Sequence, residues 1–430
     1  SVNDRRLLSL TYQGKNISPL LSQVKAQVAF HDREGERKKR VTSSFSDVGT
    51  LQTEVQATSL LGDIQRFTYG VHFHHDASEG WQEREKERSE SPHATWDNIG
   101  VFVQDEISLL GRLMLAPALR WDAYALDREK DPANPKDIGV QQNNTSLTGS
   151  LGAVFSVNDY LNLTGSIGRG FRAPNNSEYE STPSEFTFGV MAPTPTALDP
   201  EYSTNFETGI RVKHRRFQAT LSGYYMIISN LLSSERGTYQ GKDWYDWDDD
   251  GIRDPDEDIF IKTNGEGEVV IYGVEIGTQA PINDAWSVSG NFSFIDGEDR
   301  SGDEEAPLGR AFPTYGSLKL RWREPDTGRY WAEFSTRLVA EFDSSRIPES
   351  RLMRDPAYKV NPQDRKSPLL GGDGSVPGYT IFNLRGGVEV TEWASLTFGV
   401  ENLTDRNYRN KDSRIDAPGL NFVFALTLKP

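Results

Sequence analysis

The sequence predicts an all-β protein, an antiparallel transmembrane β-barrel, on three observations. Cut at its turn signals, the chain falls into about seventeen short segments that alternate apolar and polar residues at period two. Short and long connectors take turns between those segments. Nothing in the chain reaches the roughly 18 consecutive apolar residues that a membrane-crossing helix needs. Strands with one apolar face, tight turns at one end and long polar loops at the other fit a closed wall, with lipid outside, a polar lumen and no unpaired edge.

The first segment, Leu7 to Gln13, runs towards a short connector, which places Ser1 on the long-loop, extracellular side. A long loop is expected at about 34–49, then a tight turn at Leu61-Gly62-Asp63. The next segment sets Phe67, Tyr69, Val71 and Phe73 on one face and Thr68, Gly70, His72 and His74 on the other. Lipid outside and lumen inside is the natural assignment. A long loop at 76–96, the turn Leu110-Gly111-Arg112, a loop at 126–144 and the turn Val157-Asn158-Asp159 continue the pattern. Loops at 173–204, 231–267, 295–313 and 341–378 then alternate with turns at His214-Arg215-Arg216, Asn283-Asp284, Pro325 to Gly328 and Thr391-Glu392-Trp393. A shorter loop at 407–419 leads into the last segment, where Phe422, Phe424, Leu426 and Leu428 alternate with Val423, Ala425 and Thr427. Bacterial barrels of this kind have even strand numbers, so either strands from elsewhere complete the wall or the count is off by one.

Composition excludes several classes. With no cysteine, disulfides, thiolate metal sites and cysteine nucleophiles are absent. A net charge of −16 argues against nucleic acid as a partner. The acidic residues gather in the long connectors, notably 243–258 and 296–305, which suits divalent cations. No zinc-protease motif, serine-hydrolase elbow or phosphate loop is found, so no enzyme is expected.

Six segments, in this order and spacing, resemble the C-terminal part of the TonB-dependent outer-membrane receptor family. They are Gly100 to Glu106 (GVFVQDE), Leu115 to Asp122 (LAPALRWD), Gly168 to Pro174 (GRGFRAP), Leu198 to Glu201 with Glu207-Thr208-Gly209, Ile271 to Glu275 (IYGVE), and Val400 to Tyr408 (VENLTDRNY). The resemblance in these motifs spans residues 65–430, and the start of the chain and the run from Tyr69 through Asp122 look most like the haem and haemoprotein receptor branch. It implies a barrel of about 22 strands filled by a plug, taking up haem, a ferric siderophore or a similar scarce nutrient through TonB. Residues 1–430 would be the barrel's C-terminal portion, in contact with outer-membrane lipid and lipopolysaccharide. This chain holds no plug and no TonB box, so the resemblance places the plug and about five strands on a separate chain or a segment preceding Ser1. The haem branch also places a histidine in the loop after Gly168 to Pro174, and none lies between Pro174 and Lys213.

The sharpest local chemistry lies in 243–258. Asp246, Asp248, Asp250, the Ile252 carbonyl, Asp254 and Glu257 occupy positions 1, 3, 5, 7, 9 and 12 of a calcium loop, with Gly251 at the sharp turn. Flanking helices are not evident, so the site is EF-hand-like, and calcium is the expected cofactor; the alternative is a solvated acidic loop. His72, His74 and Arg172 are candidate cargo contacts, because imidazoles near a lumen mouth can ligate iron and a guanidinium can meet an anion. Their other reading is as polar wall residues paired with neighbours. Trp121, Tyr124, Tyr224, Tyr225, Trp331 and Tyr408 are expected in interfacial girdles, with an aromatic cargo platform as the lesser reading.

Two functions follow: an iron-complex transporter, or a plugless receptor-derived barrel serving as a structural part of an outer-membrane assembly. A soluble β-rich enzyme is disfavoured by the unequal connectors and the lack of a catalytic cluster.

Overall fold

The computed structural model describes residues 2–38, 42–84, 87–130, 139–179, 183–186, 189–194, 197–246, 251–253, 257–300, 305–308, 311–346, 375–411, 413 and 415–428. In chain order the strands are β1 (Val2–Lys15), β2 (Leu21–Lys38), β3 (Thr42–Leu61), β4 (Gln65–Arg84), β5 (Glu87–Leu109), β6 (Leu113–Arg128), β7 (Val140–Asn158) and β8 (Leu161–Arg172). After a single 3-10 turn at Asn176–Glu178 come β9 (Ser184–Phe186), β10 (Gly189–Met191), β11 (Glu201–His214), β12 (Phe217–Ser229), β13 (Leu232–Arg236), β14 (Ile259–Asn264) and β15 (Glu268–Pro281). The rest are β16 (Trp286–Asp299), β17 (Ala306–Pro307), β18 (Tyr315–Arg323), β19 (Tyr330–Val339), β20 (Tyr379–Thr391), β21 (Ala394–Glu401) and β22 (Asn421–Leu428). Seventeen of these are eight residues or longer, matching the segment count read from the alternation.

The contacts divide the chain into two units, residues 1–153, 166–204 and 228–268, and residues 154–165, 205–227 and 269–430. In the first, β1 to β6 pair in sequence order, each antiparallel to the next. Register explains the two faces. Ala26, Val55, Val71, Val101 and Trp121 stand in one cross-strand row, and the adjacent row on the opposite face is Gln27, Glu54, His72, Gly100 and Asp122. The apolar row is the open one: Val101 is 50% exposed while Asp122 is 0%. That inversion suits a wall whose apolar face meets lipid.

The second unit repeats it. β15, β16, β18, β19, β20, β21 and β22 pair antiparallel in that order. Val288, Leu320, Phe334, Leu384, Val400 and Phe422 form an apolar row, while Ser289, Lys319, Ser335 and Asn383 form a polar one on the other face.

The tight turns fall where the sequence places them. Leu110 and Gly111 both have positive φ, 52° and 66°, the two-residue turn whose twist matches that of its strands. Gly62, Arg215 and Gly328 take the same left-handed region at three of the other turns.

Two expected loops are strand. The hairpin of β2 and β3 continues to Lys38 and Thr42, and that of β4 and β5 to Arg84 and Glu87, so most of 34–49 and 76–96 is paired. Beyond the lipid the ladder still satisfies every backbone group, but nothing there requires apolar residues at alternate positions. The 173–204 and 231–267 connectors meet in a small sheet of β9, β10, β14 and β13, with β10 parallel to β14. Val190, Met191, Ile259 and Phe260 are its buried apolar residues, and Ala192 and Leu198 are buried in the 173–204 connector.

Candidate functional site

The polar face of the first unit carries a cluster assembled by register. His72 and Asp122 flank Gly100 in their row, and with no side chain at 100 they approach to 3.9 Å. A Cβ at 100 would overlap both side chains. Arg120 grips Asp122 bidentately, Nε to Oδ2 at 2.7 Å and Nη2 to Oδ1 at 2.8 Å. Arg120 Nη2 also donates to His72 Nδ1 at 2.6 Å, so that nitrogen accepts and Nε2 donates to Asn98 Oδ1. Asn98 in turn donates to the Ala123 carbonyl at 3.2 Å. Both imidazole nitrogens of His72 are therefore engaged within the wall.

His74, one row higher, has its Nδ1 3.0 Å from Gln52 Nε2. Its Nε2 lies 2.9 Å from Asp76 Oδ2. The ring stands edge-on to Trp96 at 5.3 Å. From there a series of ring contacts continues: Trp96 to Tyr124 at 5.2 Å, Tyr124 to Phe171 at 5.0 Å and Phe171 to Tyr202 at 6.3 Å. Arg169 closes it, its guanidinium carbon 4.2 Å from the Tyr202 ring centre.

This revises the girdle assignment. Trp121 and Tyr225 are more than 40% exposed, as lipid-facing aromatics would be. Tyr124 shares a row with His74 and Asn98 and belongs to the polar face. Trp331 packs beneath Arg321 at 4.5 Å, and Tyr408 against Tyr379 at 4.5 Å. Position near a strand end does not fix the face; register does.

Arg172 is occupied. It donates to Glu201 and, at 2.7 Å, to Glu178 Oε1. The second oxygen of each acid accepts a backbone N–H, Asn175 to Glu178 at 2.8 Å and Leu232 to Glu201 at 2.7 Å. One guanidinium thus ties the start of the 173–200 connector, its end and the start of β13. Beside it Tyr179 donates to Gln142 Oε1 and accepts from Leu198 N at 3.1 Å, while Gln142 Nε2 donates to the Leu198 carbonyl. Desolvation by burial pushes the Tyr179 phenol up, which keeps it a donor at neutral pH. Leu126, Tyr179 and Leu198 form a small core with Trp96, Val140 and Leu232 packed on it, so the capping sheet rests directly on the aromatic series.

Of the six calcium-loop positions, Asp248, Asp250 and Asp254 lie outside the described residues. Asp246 Oδ2 accepts from Gly251 N at 3.0 Å, and Gly251 has φ of 74°. Ile252 is 64% exposed and Glu257 4%. The base of the loop is stapled by Tyr245 N to Glu257 O at 2.9 Å and Ile259 N to Asp243 O at 3.0 Å. Arg236 and Arg253 hold Asp258 at 2.6 and 2.7 Å, and Arg253 also reaches Asp243 at 2.9 Å. Among the described residues no three His, Asp or Glu side chains gather as a metal site.

Sequence reasoning passed over Arg120, Asp122, Asn98, Trp96, Glu178 and Glu201. The available signal was Arg120 and Asp122 two apart on one strand face, with acids both sides of Arg172.

Residues 1–403 match the family described as "TonB dependent receptor-like, beta-barrel". The ferric enterobactin receptor PirA of Pseudomonas aeruginosa is 24% identical over 343 residues, 76% of this chain and 40% of that protein. Among solved structures, the copper transporter OprC gives a TM-score of 0.75 at 19% identity, and the siderophore receptor PirA from Acinetobacter baumannii 0.72 at 16%. Both comparisons cover 99% of this chain, which spans 65% and 62% of those proteins. At these identities the likeness establishes the fold, and the chain spans less than two thirds of each relative.

Proposed function

The chain belongs to the TonB-dependent receptor-like β-barrel family, and on that premise we propose that it walls an outer-membrane transporter for a ferric chelate bearing aromatic, anionic groups. Members of this family are transport receptors of the outer membrane, not enzymes. The observation that carries the reading is the series from His74 through Trp96, Tyr124, Phe171 and Tyr202 to Arg169, beneath the capping sheet. Offset rings gain from stacking an aromatic ligand, and a guanidinium at the end favours an anion. A ferric siderophore fits this better than haem, because both nitrogens of His72 are engaged and His74 has Gln52 and Asp76 against its own. The relative that binds ferric enterobactin, by its name, is consistent with that class. A plug, from the same gene product or a separate chain, and TonB would supply the gated, energised step.

The test is titration calorimetry of the native protein with ferric catecholate, ferric hydroxamate and haemin. The proposal expects the catecholate to bind, with Trp96→Ala and Tyr124→Ala each weakening it by about 1 kcal/mol, roughly fivefold. Haemin binding with a histidine-ligated absorption spectrum would sink it.

For 243–258 we propose calcium, held by Asp246, Asp248, Asp250, the Ile252 carbonyl, Asp254 and Glu257. The spacing carries this reading, supported by the left-handed Gly251 and the stapled loop base. Bound calcium would stiffen the capping connector. Calcium should protect the 231–267 segment from trypsin in the native protein and not in Asp248→Asn/Asp250→Asn; equal cleavage with calcium and with chelator would count against the site.

A further inference from the structure

The second unit carries a recess on its apolar face that the transport reading leaves unused. Phe292, Gly316, Leu338 and Thr380 occupy one cross-strand row of β16, β18, β19 and β20. Directly paired residues share a face, and Phe292 and Leu338, 41% and 48% exposed, mark it as the apolar one. Gly316 therefore leaves a missing side chain between a phenyl ring and a leucine. Above it on the same face stand Thr314, Ala340 and Gly378, all small, with Ala340 N bonded to the Thr314 carbonyl at 2.8 Å. Together they open a recess of about 750 Å³ lined by Phe292, Gly316, Leu338 and Thr380, with Arg406 at its margin. That volume falls within the range of small-ligand sites, about 300–1,000 Å³.

Height follows from strand geometry. β19 starts at Tyr330 beside a short turn, and Leu338 lies eight residues up. At about 3.3 Å per residue and a tilt near 40°, that is roughly 20 Å, close to the upper edge of an apolar band about 25 Å tall. The recess thus opens where acyl chains of the outer leaflet meet their headgroups. Among the described residues the Arg406 guanidinium forms no ion pair.

Resting on the outer-membrane reading, we infer that this recess binds the phosphorylated glycolipid of the outer leaflet, one acyl chain lying over Gly316 and a headgroup phosphate on Arg406. Beside Thr314, Thr380, Tyr315 and Tyr379 the lining is apolar, and its one charged side chain is a cation, so a neutral lipid fills the recess without using the Arg406 charge, and a soluble anion uses Arg406 without filling the recess. An anionic lipid does both.

The experiment is native mass spectrometry of the delipidated, detergent-purified protein titrated with lipid A, dephosphorylated lipid A and phosphatidylethanolamine. Wild type should retain lipid A preferentially. Gly316→Leu should fill the recess and lower retention about tenfold, and Arg406→Gln should erase the preference for the phosphorylated form, because it removes the charge-assisted bond to phosphate. Ala340→Leu narrows the same recess one row higher and guards against a folding defect at Gly316; unfolding temperatures certify each variant. Lipid A retention unchanged in both filling variants, or blind to phosphate in wild type, overturns the site. A protein that inserts into outer membranes yet retains no lipid A loses this site alone; one that fails to insert removes the membrane reading beneath it.

Discussion

Removing the Arg172 guanidinium should loosen the capping connectors without unfolding the wall. Glu178 and Glu201 are 12% and 13% exposed, and Arg172 itself is 44% exposed. Breaking a buried ion pair by deleting one partner costs about 3–5 kcal/mol, and water at a half-open arginine screens part of that. For Arg172→Ala about 2 kcal/mol remains, roughly thirtyfold in the local opening equilibrium at about 1.4 kcal/mol per decade. The assay is amide hydrogen exchange in detergent, read on the segments holding Asn175 and Leu232, whose N–H groups bond the two carboxylates. Protection there should fall about thirtyfold while β3 to β6 are unchanged, and Glu201→Gln in the same background should recover part of it by removing one uncompensated charge. Equal exchange in wild type and Arg172→Ala at both segments would refute the clamp.

Gly100→Ala should cost about 1–3 kcal/mol, because the new methyl displaces His72 and Asp122. Gly111→Ala, whose Cβ meets open space, should cost only the left-handed strain at a φ of 66°, about 1–2 kcal/mol; thermal unfolding in detergent that finds Gly100→Ala without cost contradicts the cluster. Tyr179→Phe leaves Gln142 and the Leu198 amide short of a partner and should lower stability by about 1–2 kcal/mol, seen as earlier proteolysis of 173–200. His72→Ala should lower the unfolding temperature and leave chelate affinity unchanged; a selective loss of affinity would return His72 to the cargo site.

Alternation at period two, with turn residues at Gly62, Leu110-Gly111, Arg215 and Gly328, made the wall legible, because these features are local. The β2 and β3 hairpin above the lipid was not, since its continuing ladder imposes no hydrophobic pattern. The polar cluster was half legible. His72 could be placed on its face, but Arg120 and Asp122 reach it only through a register of three strands and the gap at Gly100. The capping sheet was illegible for the same reason, since β10 and β14 pair in parallel across a long separation in the chain. For Arg172 the paired reading was open beside the cargo one, but its partners could not be named, because Glu178 and Glu201 come to it only when the connector folds back.

The most direct test of the transport account is uptake of radioactive iron as a ferric catecholate by cells that express the native gene product and no receptor of their own. The account predicts uptake that requires TonB and falls when Trp96 and Tyr124 are replaced together. A protein correctly inserted in the outer membrane that supports no uptake of the chelate would contradict it and favour a structural barrel.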